Sequence, residues 1–141
     1  MKPAIIKGNQ FSDARGTLTY NNDFDSSEIK RIYTIQNTDI NFIRGWQGHK
    51  IEQRWFSAIQ GSFYIKLIKV DNWEKPSKNL EQLDFFLDSK ELDVLHVPSG
   101  YISSIQAVSQ GAKLLIMADY LLGEVKDEYR YEAAYFDTDN K

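Results

Sequence analysis

Gln53-Arg54-Trp55-Phe56-Ser57-Ala58-Ile59-Gln60-Gly61-Ser62-Phe63-Tyr64-Ile65-Lys66-Leu67-Ile68-Lys69-Val70 is the stretch on which the fold class turns. Its second half alternates. Phe63, Ile65 and Leu67 fall on one side of an extended chain, and Tyr64, Lys66 and Ile68 on the other, which is the period of a half-buried strand. Gln53 to Ile59 reads as a second strand, and Gln60-Gly61-Ser62 between them reads as a hairpin turn. Outward from this pair the same signal recurs. Lys30 to Gln36 is strand-like and stops at the turn Asn37-Thr38-Asp39. Lys75-Pro76-Ser77-Lys78-Asn79 reads as a surface loop. Leu83 to Leu87 and Asp93 to Val97 are further strands, followed by a tight turn at Pro98-Ser99-Gly100. Ile102 to Val108 and Ala112 to Ala118 form another pair split by Ser109-Gln110-Gly111. The tail, Glu124 to Tyr135, is polar and aromatic without an apolar stripe, and reads as a short helix or an extended arm. About ten short strands in one small chain need their edges covered or closed, which predicts an all-β jelly-roll barrel whose mouth is a natural ligand pocket.

The totals agree. At 141 residues, with 42% hydrophobic and 26% charged side chains, the chain predicts a single domain over 1–141 with a proper core. A net charge of −3 argues against a nucleic-acid partner held by bulk positive charge. The chain has no cysteine, which fits a reducing cytoplasm. No apolar run approaches the roughly 20 residues of a membrane span, and Met1 to Lys7 lacks the apolar core of a signal peptide. The eight tyrosines, eight phenylalanines and three tryptophans suit a sandwich core first and a ring-stacking cavity second.

Chemistry concentrates in Arg44-Gly45-Trp46-Gln47-Gly48-His49-Lys50, with Glu52 just after it. One of only two histidines lies here, and an imidazole titrates near working pH. His49 is therefore the first candidate for a proton-transfer group. The other histidine, His96, sits in the apolar run Val94-Leu95-His96-Val97 and reads as structural.

Four segments carry a resemblance: Asp13-Ala14-Arg15-Gly16-Thr17-Leu18, Ile29-Lys30-Arg31-Ile32-Tyr33, Arg44 to Lys50, and Pro98-Ser99-Gly100-Tyr101. In that order they resemble the cupin superfamily and, within it, the WxcM-like group of nucleotide-sugar enzymes. That group includes the dTDP-sugar 3,4-ketoisomerases and is related to the dTDP-4-dehydrorhamnose 3,5-epimerases. The chain departs from the pattern too. The first of two histidines expected in the central turn is Gln47, and a histidine expected after the Pro-x-Gly turn is Ser103. With only His49 and Glu52 left as ligands, no metal is expected, because transition metals in such sites usually take three or more protein ligands.

The resemblance implies an isomerase, of the 3,4-ketoisomerase or epimerase type, acting without a cofactor on a nucleotide-linked 4-keto-6-deoxy sugar, with dTDP as the nucleotide. His49 would remove the proton beside the ketone, Arg44 would stabilise the enediolate, and Tyr33 would return a proton; as plain structure, Tyr33 is a core aromatic and Arg44 pairs with a carboxylate in a turn. Gln47 would hydrogen-bond a substrate hydroxyl, but cannot act as a base. Arg15 and Lys50 match diphosphate-contacting positions, Trp46 and Tyr101 would stack on the base or sugar, and Ser103 lines the pocket. Trp46 reads equally as an interface residue. Glu52 would orient His49, replace the missing base or simply be solvated. A homodimer exchanging N-terminal strands, through the apolar segment Pro3 to Lys7, is also implied. The replaced histidine keeps a second reading open, a non-catalytic cupin that binds a nucleotide-sugar or another small polar ligand; a structural subunit is a third.

Overall fold

The structure, a computed structural model, describes residues 1–137. Its strands are β1 (Ala4–Ile6), β2 (Asn9–Asp13), β3 (Gly16–Tyr20), β4 (Arg31–Ile35), β5 (Ile43–His49), β6 (Arg54–Gln60), β7 (Ser62–Lys69), β8 (Leu83–Asp88), β9 (Val94–Val97), β10 (Tyr101–Ala107), β11 (Lys113–Ala118) and β12 (Glu128–Arg130). One antiparallel sheet has the order β1-β9-β6-β11-β4 and the other β12-β5-β10-β7-β8; β2 and β3 form a two-stranded hairpin of their own. Phe56, Ala58, Leu95, Leu114 and Ile116 of the first sheet meet Phe63, Ile65, Leu67, Leu87 and Ile105 of the second in one buried cluster. This is the expected jelly-roll arrangement of two packed sheets.

The connectivity corrects one expectation. β6 and β7 are not a hairpin: β6 pairs with β9 and β11, and β7 with β8 and β10. The turn at Gly61, whose φ is 70°, carries the chain from one sheet to the facing one. The same holds for β10 and β11, which also lie in different sheets. Both strands of each pair have an apolar side to bury, and they bury it across the core instead of side by side.

The tail, open between a short helix and an extended arm, runs as an extended arm. No helix occurs among the described residues. Glu128, Tyr129 and Arg130 instead pair with His49, Gly48 and Gln47, and Tyr131 exchanges two backbone hydrogen bonds with Trp46 (2.9 and 3.0 Å). An unpaired edge on β5 is a better use for a stripe-less segment than a helix with no face to bury. β5 itself, read as a turn from its glycines, is a central strand. A Cβ at Gly48 would run into the Tyr101 carbonyl and the Ile102 backbone, so the glycine permits close strand approach. The N-terminal segment pairs within its own chain, Ala4 opposite His96.

Candidate active site

One end of the sandwich interior is not filled. A cavity of about 440 Å³ opens there, lined by Tyr33 from β4, Gln47 and His49 from β5, Arg54 from β6 and Tyr101 and Ser103 from β10. Strand alternation aims Gln47 and His49 inward. Arg44 would fall out of phase, but the register slips between Ser103–Gln47 and Ile105–Arg44. That bulge turns Arg44 back towards the cavity mouth. A second opening shares Tyr33, Gln47, His49, Glu52 and Arg54, and is rimmed by Arg31, Leu122 and Lys126.

The centre is a hydrogen-bonded relay. His49 Nδ1 lies 3.2 Å from Asp127 Oδ1, and Asp127 Oδ2 accepts the backbone N–H of Ile51 and of Glu52, each at 2.7 Å. On the other side, Arg54 Nη2 lies 2.9 Å from His49 Nε2. Arg54 Nη1 donates to Glu52 Oε1 (2.8 Å) and to the Gln53 carbonyl (3.1 Å), and Nε donates to the Tyr33 hydroxyl (3.2 Å). A guanidinium only donates, so Nε2 accepts and the ring proton sits on Nδ1, facing Asp127. The tautomer thus follows from the partners.

Electrostatics agree. Burial, then the Arg54 charge, holds the His49 pKa below its ordinary value against the pull of Asp127 and Glu52. The ring is neutral at neutral pH, as a base must be. Burial works to raise the Asp127 pKa, but the two backbone N–H groups and His49 outweigh it and leave it lowered, so it is a carboxylate. Burial of Tyr101 raises its pKa and keeps the phenol protonated.

The expected residues divide. His49, Tyr33, Gln47, Tyr101, Ser103 and Arg44 line the cavity. Arg44 does not sit beside His49: their partners on β10, Ile105 and Tyr101, are four residues apart, about 13 Å along a strand. It belongs to the mouth, with Arg130. Trp46 is corrected outright. It is buried on the outer side of its sheet among Ile68, Val70, Ile102 and Phe136, edge-on to the Phe136 ring at 5.4 Å, with no face free for a ligand. Lys50 is exposed and lines neither opening. Arg15 lies at the β2–β3 turn, ion-paired with Asp13 at 2.8 Å and away from this chain's cavity. Glu52 is not solvated: it is buried and bonded to Arg54. His96 is structural, stacked on Trp55 (4.9 Å) and bonded to Gln53.

Asp127 and Arg54 were not singled out by the sequence. Asp127 left no signal, lying 78 residues from His49 in an irregular tail. Arg54 left one: it shares its strand phase with Phe56 and Ala58, which are core, so it is a charge on an inward face.

Asp127 also supplies the third donor that the ligand count lacked, since His49, Glu52 and Asp127 each offer an atom within 4.8 Å of the others. The set does not fit a metal ion. Both Asp127 oxygens, Glu52 Oε1 and His49 Nε2 are committed, and the space between Glu52 and His49 holds a guanidinium, which would repel a second cation.

The fold has solved counterparts. A histidine-to-asparagine variant of the 3,4-ketoisomerase QdtA from Thermoanaerobacterium thermosaccharolyticum, in complex with TDP-4-keto-6-deoxyglucose, superposes with a TM-score of 0.70 at 24% identity over 96% of this chain and 92% of that one. The TDP-quinovose 3,4-ketoisomerase WlaRB from Campylobacter jejuni gives 0.69 at 24% identity over 96% and 97%. The RmlC epimerase of Mycobacterium tuberculosis gives 0.73 at 10% identity over 94% and 70%. At such identities the likeness is one of fold, the cupin barrel. No curated protein matches the chain in sequence. The family model described as FdtA, WxcM-like, C-terminal, matches residues 1–140, and the chain belongs to that family.

Proposed function

We propose that this protein is an isomerase of a nucleotide-linked 4-keto-6-deoxy sugar, dTDP-linked by analogy with its solved counterparts, of the 3,4-ketoisomerase or epimerase type. One observation carries the reading: a neutral imidazole lining an open cavity, its Nδ1–H held by a buried carboxylate and its Nε2 accepting from Arg54 Nη2. The ketone acidifies the neighbouring C–H, His49 Nε2 takes that proton, and Asp127 stabilises the resulting imidazolium. The Tyr33 hydroxyl, on the opposite wall, is the donor that returns a proton. Arg44 and Arg130 at the mouth suit the diphosphate, for which guanidinium forks are apt. Gln47 and Ser103 orient sugar hydroxyls, and the Tyr101 ring packs against the ligand. The chemistry requires no cofactor, because the substrate's carbonyl is the electron sink.

The reading includes a homodimer working in the cytoplasm. The β2–β3 hairpin pairs with neither sheet and exposes Phe11 and Leu18 by 56% and 60%. Two exposed apolar side chains on a hairpin that pairs with neither sheet suit a second copy's surface, and Arg15 at its tip would reach a diphosphate from there. Sedimentation at micromolar concentration tests this; a monomer overturns it.

The activity is tested by incubation with dTDP-4-keto-6-deoxyglucose in heavy water, read by NMR and mass. Deuterium at C3 marks keto exchange or 3-epimerisation, and deuterium at C5 marks epimerisation there. Thermal stabilisation by the sugar nucleotide without any deuterium would overturn the isomerase and leave a binding protein.

A further inference from the structure

The reaction read above develops negative charge on the keto oxygen, which a preorganised donor or cation stabilises. Arg44, expected to do so, stands at the mouth, and Gln47 can offer only a neutral amide. Arg54 stands at the centre. It is buried, with 6% of its surface exposed. Among the described residues, four of its five N–H groups have partners: Tyr33, Glu52, the Gln53 carbonyl and His49. Tyr33 at Nε and Glu52 at Nη1 hold the guanidinium in place. What remains is Nη2, with one N–H on His49 and one without a partner, facing the imidazole that must receive the proton.

We propose that Arg54 is a catalytic residue, the built-in cation of this site. In the free protein its Nη2 closes the His49 lone pair; the substrate's keto oxygen takes Nη2 in exchange, which frees the base and pairs the developing oxyanion with a fixed positive charge. The inference rests on the isomerase reading. It also explains why the His49–Glu52–Asp127 donors do not fit a metal: a side chain already holds the position of a Lewis acid.

The step balances. The C–H bond beside the ketone breaks, its electron pair forms the C=C bond of the enediolate, and the carbonyl pair becomes the oxyanion on Arg54. The proton resides on His49 Nε2. Reprotonation at the former carbonyl carbon, with loss of the neighbouring hydroxyl proton, moves the ketone. Reprotonation, from the other face, of the carbon that lost its proton restores the ketone and inverts that carbon. Nothing is oxidised or reduced overall, and only protons pass to and from water. Because Arg54 is held before substrate arrives, little reorganisation is needed as charge develops.

The test follows deuterium incorporation from heavy water into dTDP-4-keto-6-deoxyglucose, alongside dTDP affinity by calorimetry. Arg54→Gln is expected to slow incorporation about 100-fold or more, with dTDP affinity within about threefold of the parent. Arg54→Ala should regain part of its rate on adding guanidinium at a non-denaturing concentration, which a merely structural arginine would not show. Since Arg54→Gln leaves Glu52 buried without its partner, Glu52→Gln/Arg54→Gln is the control for folding and should be equally slow. Incorporation by Arg54→Gln or the double variant within about threefold of the parent overturns the proposal and leaves the isomerase standing. No incorporation by the parent overturns the isomerase and this inference with it.

Discussion

The two ends of strand β6 face opposite halves of the same interior. At one end, Ala58 is fully buried with Phe63, Ile65 and Leu114, a packed and wholly apolar region. At the other, four residues earlier, Arg54 is nearly as buried, yet every neighbour that matters is polar: His49, Glu52, Tyr33 and, through His49, Asp127. Burial in the first region stabilises the fold through area removed from water. In the second it desolvates charges, and the cost is offset only by partners on each of them. The jelly roll thus divides its interior into a half that holds the sheets together and a half that holds unlike charges close in a low-dielectric space, where they act strongly on a bound ketone.

The division can be broken from either side. His49→Asn removes the base and should lower deuterium incorporation about 1,000-fold or more, with the urea midpoint close to the parent's; a variant within tenfold of parental rate would sink His49 as the base. Phe63→Ala empties a fully buried site in the apolar half. It should cost about 3–5 kcal/mol of stability, read as a lower urea midpoint, while the surviving folded fraction turns over at the parental rate. A stability loss under about 1 kcal/mol would mean that this half is not where the sheets are held. Asp127→Asn comes next. An amide can accept from only one side and would present N–H₂ to either the imidazole or the two backbone N–H groups. Turnover should fall about 100-fold, because the wrong tautomer is favoured. An unchanged rate would deny Asp127 its positioning role.

The same division explains what the sequence discloses. Phe63, Ile65 and Leu67 were legible as core because period-two alternation reports which face is buried, and all three are fully buried. Alternation does not report the partner, so β6 and β7 read as a hairpin although they face each other across the core. Gly45 and Gly48 made β5 look like a turn, because close approach of strands and freedom at a turn call for the same residue. Trp46 carried no mark of which side of β5 it would occupy once the bulge intervened. The charged half was less legible than the apolar one. His49 was found from its residue type, Glu52 was open between a place beside His49 and solvent because a lone carboxylate does not announce its partner, and Asp127 enters from a tail whose pattern encodes no face. Arg54 alone was discoverable, as a charge in phase with core residues.

The last and smallest effect tests whether the charged half costs stability. In the unfolded chain His49 titrates near its ordinary value of about 6.5; in the folded protein, burial and Arg54 hold it lower. As pH falls below about 6.5 the unfolded state therefore binds the proton first, and stability is lost from there down through the folded pKa. His96, lowered chiefly by burial, pulls in the same direction. Asp127 and Asp13, lowered from 3.8, act only in a more acidic window. His49→Asn should accordingly flatten the decline of the urea midpoint between pH 7.5 and 5 without abolishing it, because His96 remains. Equal slopes in parent and variant would mean that His49 is not desolvated as described. A parent that gains stability on acidification would mean the imidazole prefers to be charged, with Asp127 outweighing Arg54, and so would not be the neutral base on which the reaction depends.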